Sequence, residues 1–106
     1  MQAYHIENLL EEYESAGMLF LEFLRTNSMS LGIYKLEAGA IDPQTPHDED
    51  EVYYVISGKG KIRVGEEDRK VKPGSIVFVA KQVPHKFHSI EEDLSILVMF
   101  APAESK

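Results

Sequence analysis

The distribution of apolar residues changes character at Gly17. Before it, Ile6, Leu9, Leu10 and Tyr13 recur at i, i+3, i+4 and i+7, while Glu7, Glu11, Glu12 and Glu14 fill the positions between them. Residues so spaced share one face of a 3.6-residue repeat. The pattern predicts an amphipathic helix over residues 6–15, stopped at Gly17, where a left-handed backbone costs little. Its apolar stripe should close one end or edge of the domain. Beyond Gly17 the runs shorten and alternate, divided by turn residues. Strands are predicted over 18–25, 29–37, 51–56, 61–64, 69–72, 76–79, 85–90 and 94–100. Breaks fall at Thr26-Asn27-Ser28, Ala38-Gly39-Ala40, Ser57-Gly58-Lys59-Gly60, Pro73-Gly74 and Glu91-Glu92-Asp93, among others. Residues 103–106, beyond Pro102, are expected to fray.

Many short strands, turns spaced about ten residues apart and a single helix argue for an all-β sandwich or closed barrel, not a parallel α/β sheet. The chain of 106 residues makes one domain, 1–106, with no internal repeat and no linker. Residues 18–25 are apolar on both faces, which fits burial between sheets or in a subunit interface.

Composition narrows the partners. Net charge is −7, from 18 acidic and 11 basic side chains. That balance repels phosphate backbones and anionic bilayers, so neither nucleic acid nor membrane is expected as a partner. Cysteine is absent, which excludes disulfides, thiolate metal sites and a cysteine nucleophile. The N-terminus has neither the basic region nor the apolar run of a secretory signal, and a cytoplasmic location is expected. Gly58, Gly60, Gly65 and Gly74 precede no helix, so a phosphate-binding loop is not expected.

Candidate chemistry gathers on the histidines. His47 and Glu51 are four residues apart, and on one straight strand their side chains would stand about 13 Å apart. Asp48-Glu49-Asp50 has turn composition, however, and reads most simply as a solvated turn. A chain reversal there would set His47 and Glu51 opposite each other on antiparallel strands, with Cβ atoms about 5 Å apart, close enough to reach one ion. His85 follows Pro84 at the start of another strand. His88, three residues on, should point to the opposite face and be exposed.

The spacing of these residues resembles the two motifs of the cupin family. Gly39, His47, Glu51 and Gly58 fall in register with the first motif. Gly74 and His85 match the second, although Ala80, Gln82 and Ser89 replace its proline, glycine and asparagine. The resemblance runs from Gly39 to Ser89. It implies a double-stranded β-helix, or jelly-roll barrel, with one short N-terminal helix. It also implies one divalent transition metal on His47, Glu51 and His85. The family usually supplies a third histidine, and Thr45 stands where it belongs. Gln44, turned inward by a bulge at Pro43 or Pro46, is one substitute ligand, and Thr45 is the in-register alternative. Tyr53, sharing a face with Glu51, and Phe87, sharing one with His85, are expected to line the pocket with Thr45, or else to pack the core.

Two imidazoles and one carboxylate suit Fe, Mn, Ni, Zn or Co. An open coordination sphere is what catalysis uses, whereas structural zinc sites are closed. The expected function is therefore a metal-binding small cupin acting on a small polar metabolite, with dioxygenase- or isomerase-type chemistry. The alternative is a non-catalytic module that binds or senses a small molecule without needing a metal. A storage role does not suit a chain this short. Similar small cupins pair as homodimers, so a homodimer is expected as well.

Overall fold

The computed structural model describes residues 1–17 and 19–105, in one helix and six strands. The helix α1 (Ile6–Ala16) ends at Gly17, whose φ of 64° is the left-handed cap expected there. The strands are β1 (Phe20–Arg25), β2 (Ser30–Leu36), β3 (Asp50–Val64), β4 (Glu67–Val71), β5 (Ile76–Val79) and β6 (His85–Ala101). All pairings are antiparallel, in the order β1-β2-β6-β3-β4, with β5 also on β3. Met18, placed by its sequence in the first strand, and Lys106 lie outside the described residues.

The main departure from expectation is that two predicted breaks are not breaks. Ser57 to Gly60 lies inside β3, and Glu91 to Asp93 lies inside β6. The ladder between these strands runs from Asp50 opposite Ala101 to Val64 opposite His85, and it carries register shifts between Val55 and Lys61. Bulges insert residues without ending the pairing, and they bend the strand sharply. Gly58 shows why this stretch is glycine-rich. Its φ is +98°, and a Cβ built there would lie 2.1 Å from the carbonyl oxygen of Asp93. Only glycine permits both that backbone and that approach.

The bend closes the barrel. Glu51 and His85 sit at opposite ends of the β3–β6 ribbon, Glu51 opposite Phe100 and His85 opposite Val64. Along a straight ribbon they would be roughly 40 Å apart. In the curled one their side chains meet at 3.0 Å. Alternation does the rest. Tyr53, Val55, Ile62, Phe87, Ile96 and Val98 are almost wholly buried and fill the interior. Each such side chain contributes about 1.5–3 kcal/mol of transfer free energy. Glu51 continues the inward set of Tyr53 and Val55, and His85 continues that of Phe87, so both are carried into the barrel.

The helix lies on the outside of the sheet. Leu9 and Tyr13 pack on Ile33, with Leu21, Phe23, Ile56 and Leu97 around them. Tyr13 also donates a hydrogen bond to the carbonyl of Leu19 at 2.6 Å. The helix and the barrel interior, where Phe20 packs, account for the two apolar faces of β1. Two other expectations are corrected. The C-terminal residues 103–105 are not frayed ends: Ala103 and Glu104 are partly buried. In addition, no strand leads directly into residues 48–50. Residues 40–47 are irregular, and β3 begins at Asp50 after a bend, so His47 does not meet Glu51 across a hairpin.

Candidate metal centre

His47 is delivered by the irregular segment, not by a strand. Its carbonyl accepts a hydrogen bond from the Gln82 N–H at 2.7 Å, which ties the segment to the loop before β6. Asp48 and Asp50 secure the same junction, accepting from the Gln82 amide and from the Lys81 N–H. The expected solvated acidic turn is therefore a clasp. Glu49, between them, is 4% exposed.

The clasp, the β3 start and the β6 start converge. Donor atoms of His47, Glu51 and His85 all lie within 4.8 Å of one another. His85 Nε2 is 3.0 Å from Glu51 Oε1, and His47 Nε2 is 3.9 Å from the same oxygen. Yet Glu51 Oε2, which is buried, has no hydrogen-bond partner, and the buried His85 Nε2 has only its contact with Glu51 Oε1, which lacks hydrogen-bond alignment. A buried polar atom left unpaired costs about 1–3 kcal/mol. A cation coordinated by these atoms would satisfy both, so the donor set fits a divalent metal. His85 Nδ1 lies 3.1 Å from the Val83 carbonyl oxygen, an arrangement that leaves Nε2 to face the centre. Burial opposes charge on this ring, but the Glu51 carboxylate and the Val83 carbonyl outweigh it and raise its pKa above the ordinary histidine value.

Gln44 stands beside the centre. Its Oε1 accepts from the Tyr53 hydroxyl at 3.0 Å and lies 3.5 Å from His47 Nε2. The side chain is aimed by Asp42, which accepts from Gln44 Nε2 at 2.9 Å and from the Gln44 N–H at 3.1 Å. Asp42 also accepts from the Tyr34 hydroxyl at 2.6 Å and the Phe87 N–H at 2.9 Å. Sequence reasoning missed this residue, because Asp42-Pro43 has the composition of an ordinary turn. Tyr53 is fully buried, and burial followed by the charge of Glu51 holds its phenol protonated well above the usual range. Phe87 packs edge-on to Tyr53, with centroids 5.0 Å apart, inside the core. Thr45 is exposed at the rim of a cavity of about 240 Å³, lined also by Phe20, Tyr34, Gln44, His47, Phe100 and Glu104. His88 stays outside, paired with Asp68 at 2.8 Å.

Glu104 was also missed, since a charged residue near a chain end carries no signal of burial. Its carboxylate lies 3.5 Å from His47 Nδ1, and burial raises its pKa above the usual carboxylate value.

An antiparallel barrel wound from two bent strands, with a His–Glu–His set converging inside it, is the architecture of a cupin. The chain belongs to the cupin family, whose domain profile matches residues 32–100. It is 48% identical over 105 residues to an uncharacterised Streptomyces coelicolor protein, SCO3923, covering 99% of this chain and 100% of that one. Among solved structures, TT1209 from Thermus thermophilus superimposes with a TM-score of 0.80 at 27% identity, covering 97% of this chain and 99% of that one. KdgF from Halomonas gives 0.71 at 21% identity, covering 78% and 76%.

Proposed function

We propose that this protein is a metal-binding cupin that holds one divalent transition ion on His47, Glu51 and His85 and acts on a small metabolite in the adjoining cavity. The convergence of His47, Glu51 and His85 donor atoms within 4.8 Å of one another, with the buried Glu51 Oε2 left without a partner, carries the reading. When bound, the ion supplies Lewis acidity or, if it is iron, oxygen chemistry. Gln44 Oε1, 3.5 Å from His47 Nε2, would join the ligand set where the family's third histidine is missing. The cavity beside His47 is mostly apolar on its β1, β2 and β6 walls, with Gln44, Thr45 and Glu104 as its polar groups. It would hold a ligand of modest size, its polar end toward the centre and its apolar body toward Phe20 and Phe100.

Metal analysis and thermal denaturation test the proposal together. Purified without chelator, the protein should carry close to one equivalent of a transition metal, and EDTA should lower its thermal midpoint. Glu51→Gln should abolish the EDTA effect, read as the difference between the thermal midpoints of that variant with and without chelator. Failure to take up Fe, Mn, Ni, Zn or Co when these are added would refute the reading. It would favour a metal-independent binding module, whose ligand stabilisation would survive EDTA.

We also propose that the barrel pairs with a second copy of itself through the outer face of β5, β3 and β6. Ile76, Phe78, Tyr54 and Met99 are all exposed there.

A further inference from the structure

His47 and His85 both turn Nε2 toward the centre, and each has an oxygen near its Nδ1. For His85 that oxygen is the Val83 carbonyl of its own loop, at 3.1 Å. For His47 it is Glu104 Oε2, at 3.5 Å, a carboxylate from the far end of the chain. The two rings also differ in what surrounds Nε2. His47 Nε2 faces two acceptors, Gln44 Oε1 at 3.5 Å and Glu51 Oε1 at 3.9 Å.

A neutral imidazole carries one proton, and its position decides which nitrogen has a free lone pair. The two oxygens near Nε2 draw the proton to that nitrogen, where it blocks ligation. A carboxylate near Nδ1 draws it the other way. At that end of the ring the charged group in contact is Glu104, whose carboxylate lies 3.5 Å from Nδ1.

The carboxylate is held there by its backbone. Arg25 Nη2 donates to the Glu104 carbonyl at 2.7 Å, and the Glu104 N–H donates to Ser30 Oγ at 2.9 Å. Ser30 is 1% exposed. The next residue adds a third tie, the Ser105 hydroxyl donating to Glu49 Oε2 at 2.5 Å. β1, β2 and the clasp before β3 thus all grip the terminal segment, and none of the three ties uses the Glu104 side chain.

We propose that Glu104 is a positioning residue: it keeps the proton of neutral His47 on Nδ1 and so reserves Nε2 for the metal. The effect on metal affinity rests on the proposed metal centre, whereas the effect on the proton does not.

Long-range ¹H–¹⁵N NMR of the metal-free protein, at a pH where the ring is neutral, reads the tautomer directly. His47 should be protonated on Nδ1 in the native protein and shift toward Nε2 protonation in Glu104→Ala. Competition against a chromophoric chelator should then show a 10–100-fold loss of Zn(II) or Co(II) affinity, the range for removing a histidine's outer partner. Glu104→Gln, which keeps an acceptor oxygen, should recover most of it. Because the three ties are preserved, the thermal midpoint of metal-free Glu104→Ala should stay close to native. An unchanged tautomer overturns the inference, whatever happens to stability. So does a shifted tautomer with affinity within twofold of native. If the native protein binds no metal, the metal centre itself fails, and the tautomer comparison alone decides the role of Glu104.

Discussion

Asp42 is the residue on which the interior polar network turns. It is wholly buried and accepts four hydrogen bonds, from Tyr34, twice from Gln44, and from Phe87. It therefore joins the start of β6 to β2 and to the segment that delivers His47. Asp42→Ala would strand four donors, at about 1–3 kcal/mol for each one that water cannot reach. Urea denaturation should show a loss of about 3 kcal/mol or more, and a loss under about 1 kcal/mol would mean that the segment finds other partners. The clustering of His47, Glu51 and His85 was legible in the sequence through their match to the cupin motifs. Asp42 and Glu104 were not. Their roles come from burial and from contacts to residues far along the chain, and neither leaves a local pattern.

At the scale of elements, the helix was legible because its period matches its packing: Leu9 and Tyr13 are the residues that reach Ile33. The strands were misread where glycine and charge interrupt them. Ser57-Gly58-Lys59-Gly60 has turn composition, yet the β3–β6 ladder continues through it as a series of bulges. The same misreading produced the imagined hairpin at residues 48–50. In both places local composition was right that the chain bends and wrong that the strand ends or reverses. The bulged bend has a consequence that can be measured. Gly58→Ala meets the Asp93 carbonyl oxygen at 2.1 Å and must hold φ near +98°. Strain of about 1–3 kcal/mol from the backbone alone, plus the clash, should lower stability by about 3 kcal/mol or more. The curl that brings Glu51 to His85 depends on this bend, so metal affinity should fall along with stability. A Gly58→Ala protein with native affinity would show that the ribbon curls without it.

For the whole molecule, the outer sheet face is the surface on which the proposed pairing rests. Phe78 of β5 pairs with Val52 of β3, Val52 with Met99 of β6, and Met99 with Leu31 of β2. A second row runs from Ile76 through Tyr54 to Leu97, where the helix begins to cover it. The helix thus shields one side of this face and leaves the other bare, with Ile76 at 71% and Phe78 at 59% exposure. Contiguous exposed apolar rows of this kind mark an interaction surface more often than scattered single residues do. The outer face of an antiparallel sheet can pack on its own copy about a twofold axis, each row meeting its equivalent. With eighteen acidic residues against eleven basic ones, two like-charged barrels repel, so pairing must come from apolar burial and should persist, even strengthen, as salt screens the repulsion. Sedimentation velocity at micromolar concentration should therefore give a dimer at both low and high ionic strength. Phe78→Lys, which sets a charge in the centre of the face, should give a monomer that still takes up metal, because Val79 and Glu51 face the interior while Phe78 and Val52 face away from it. A native protein that sediments as a monomer would leave these rows without a second copy to cover them.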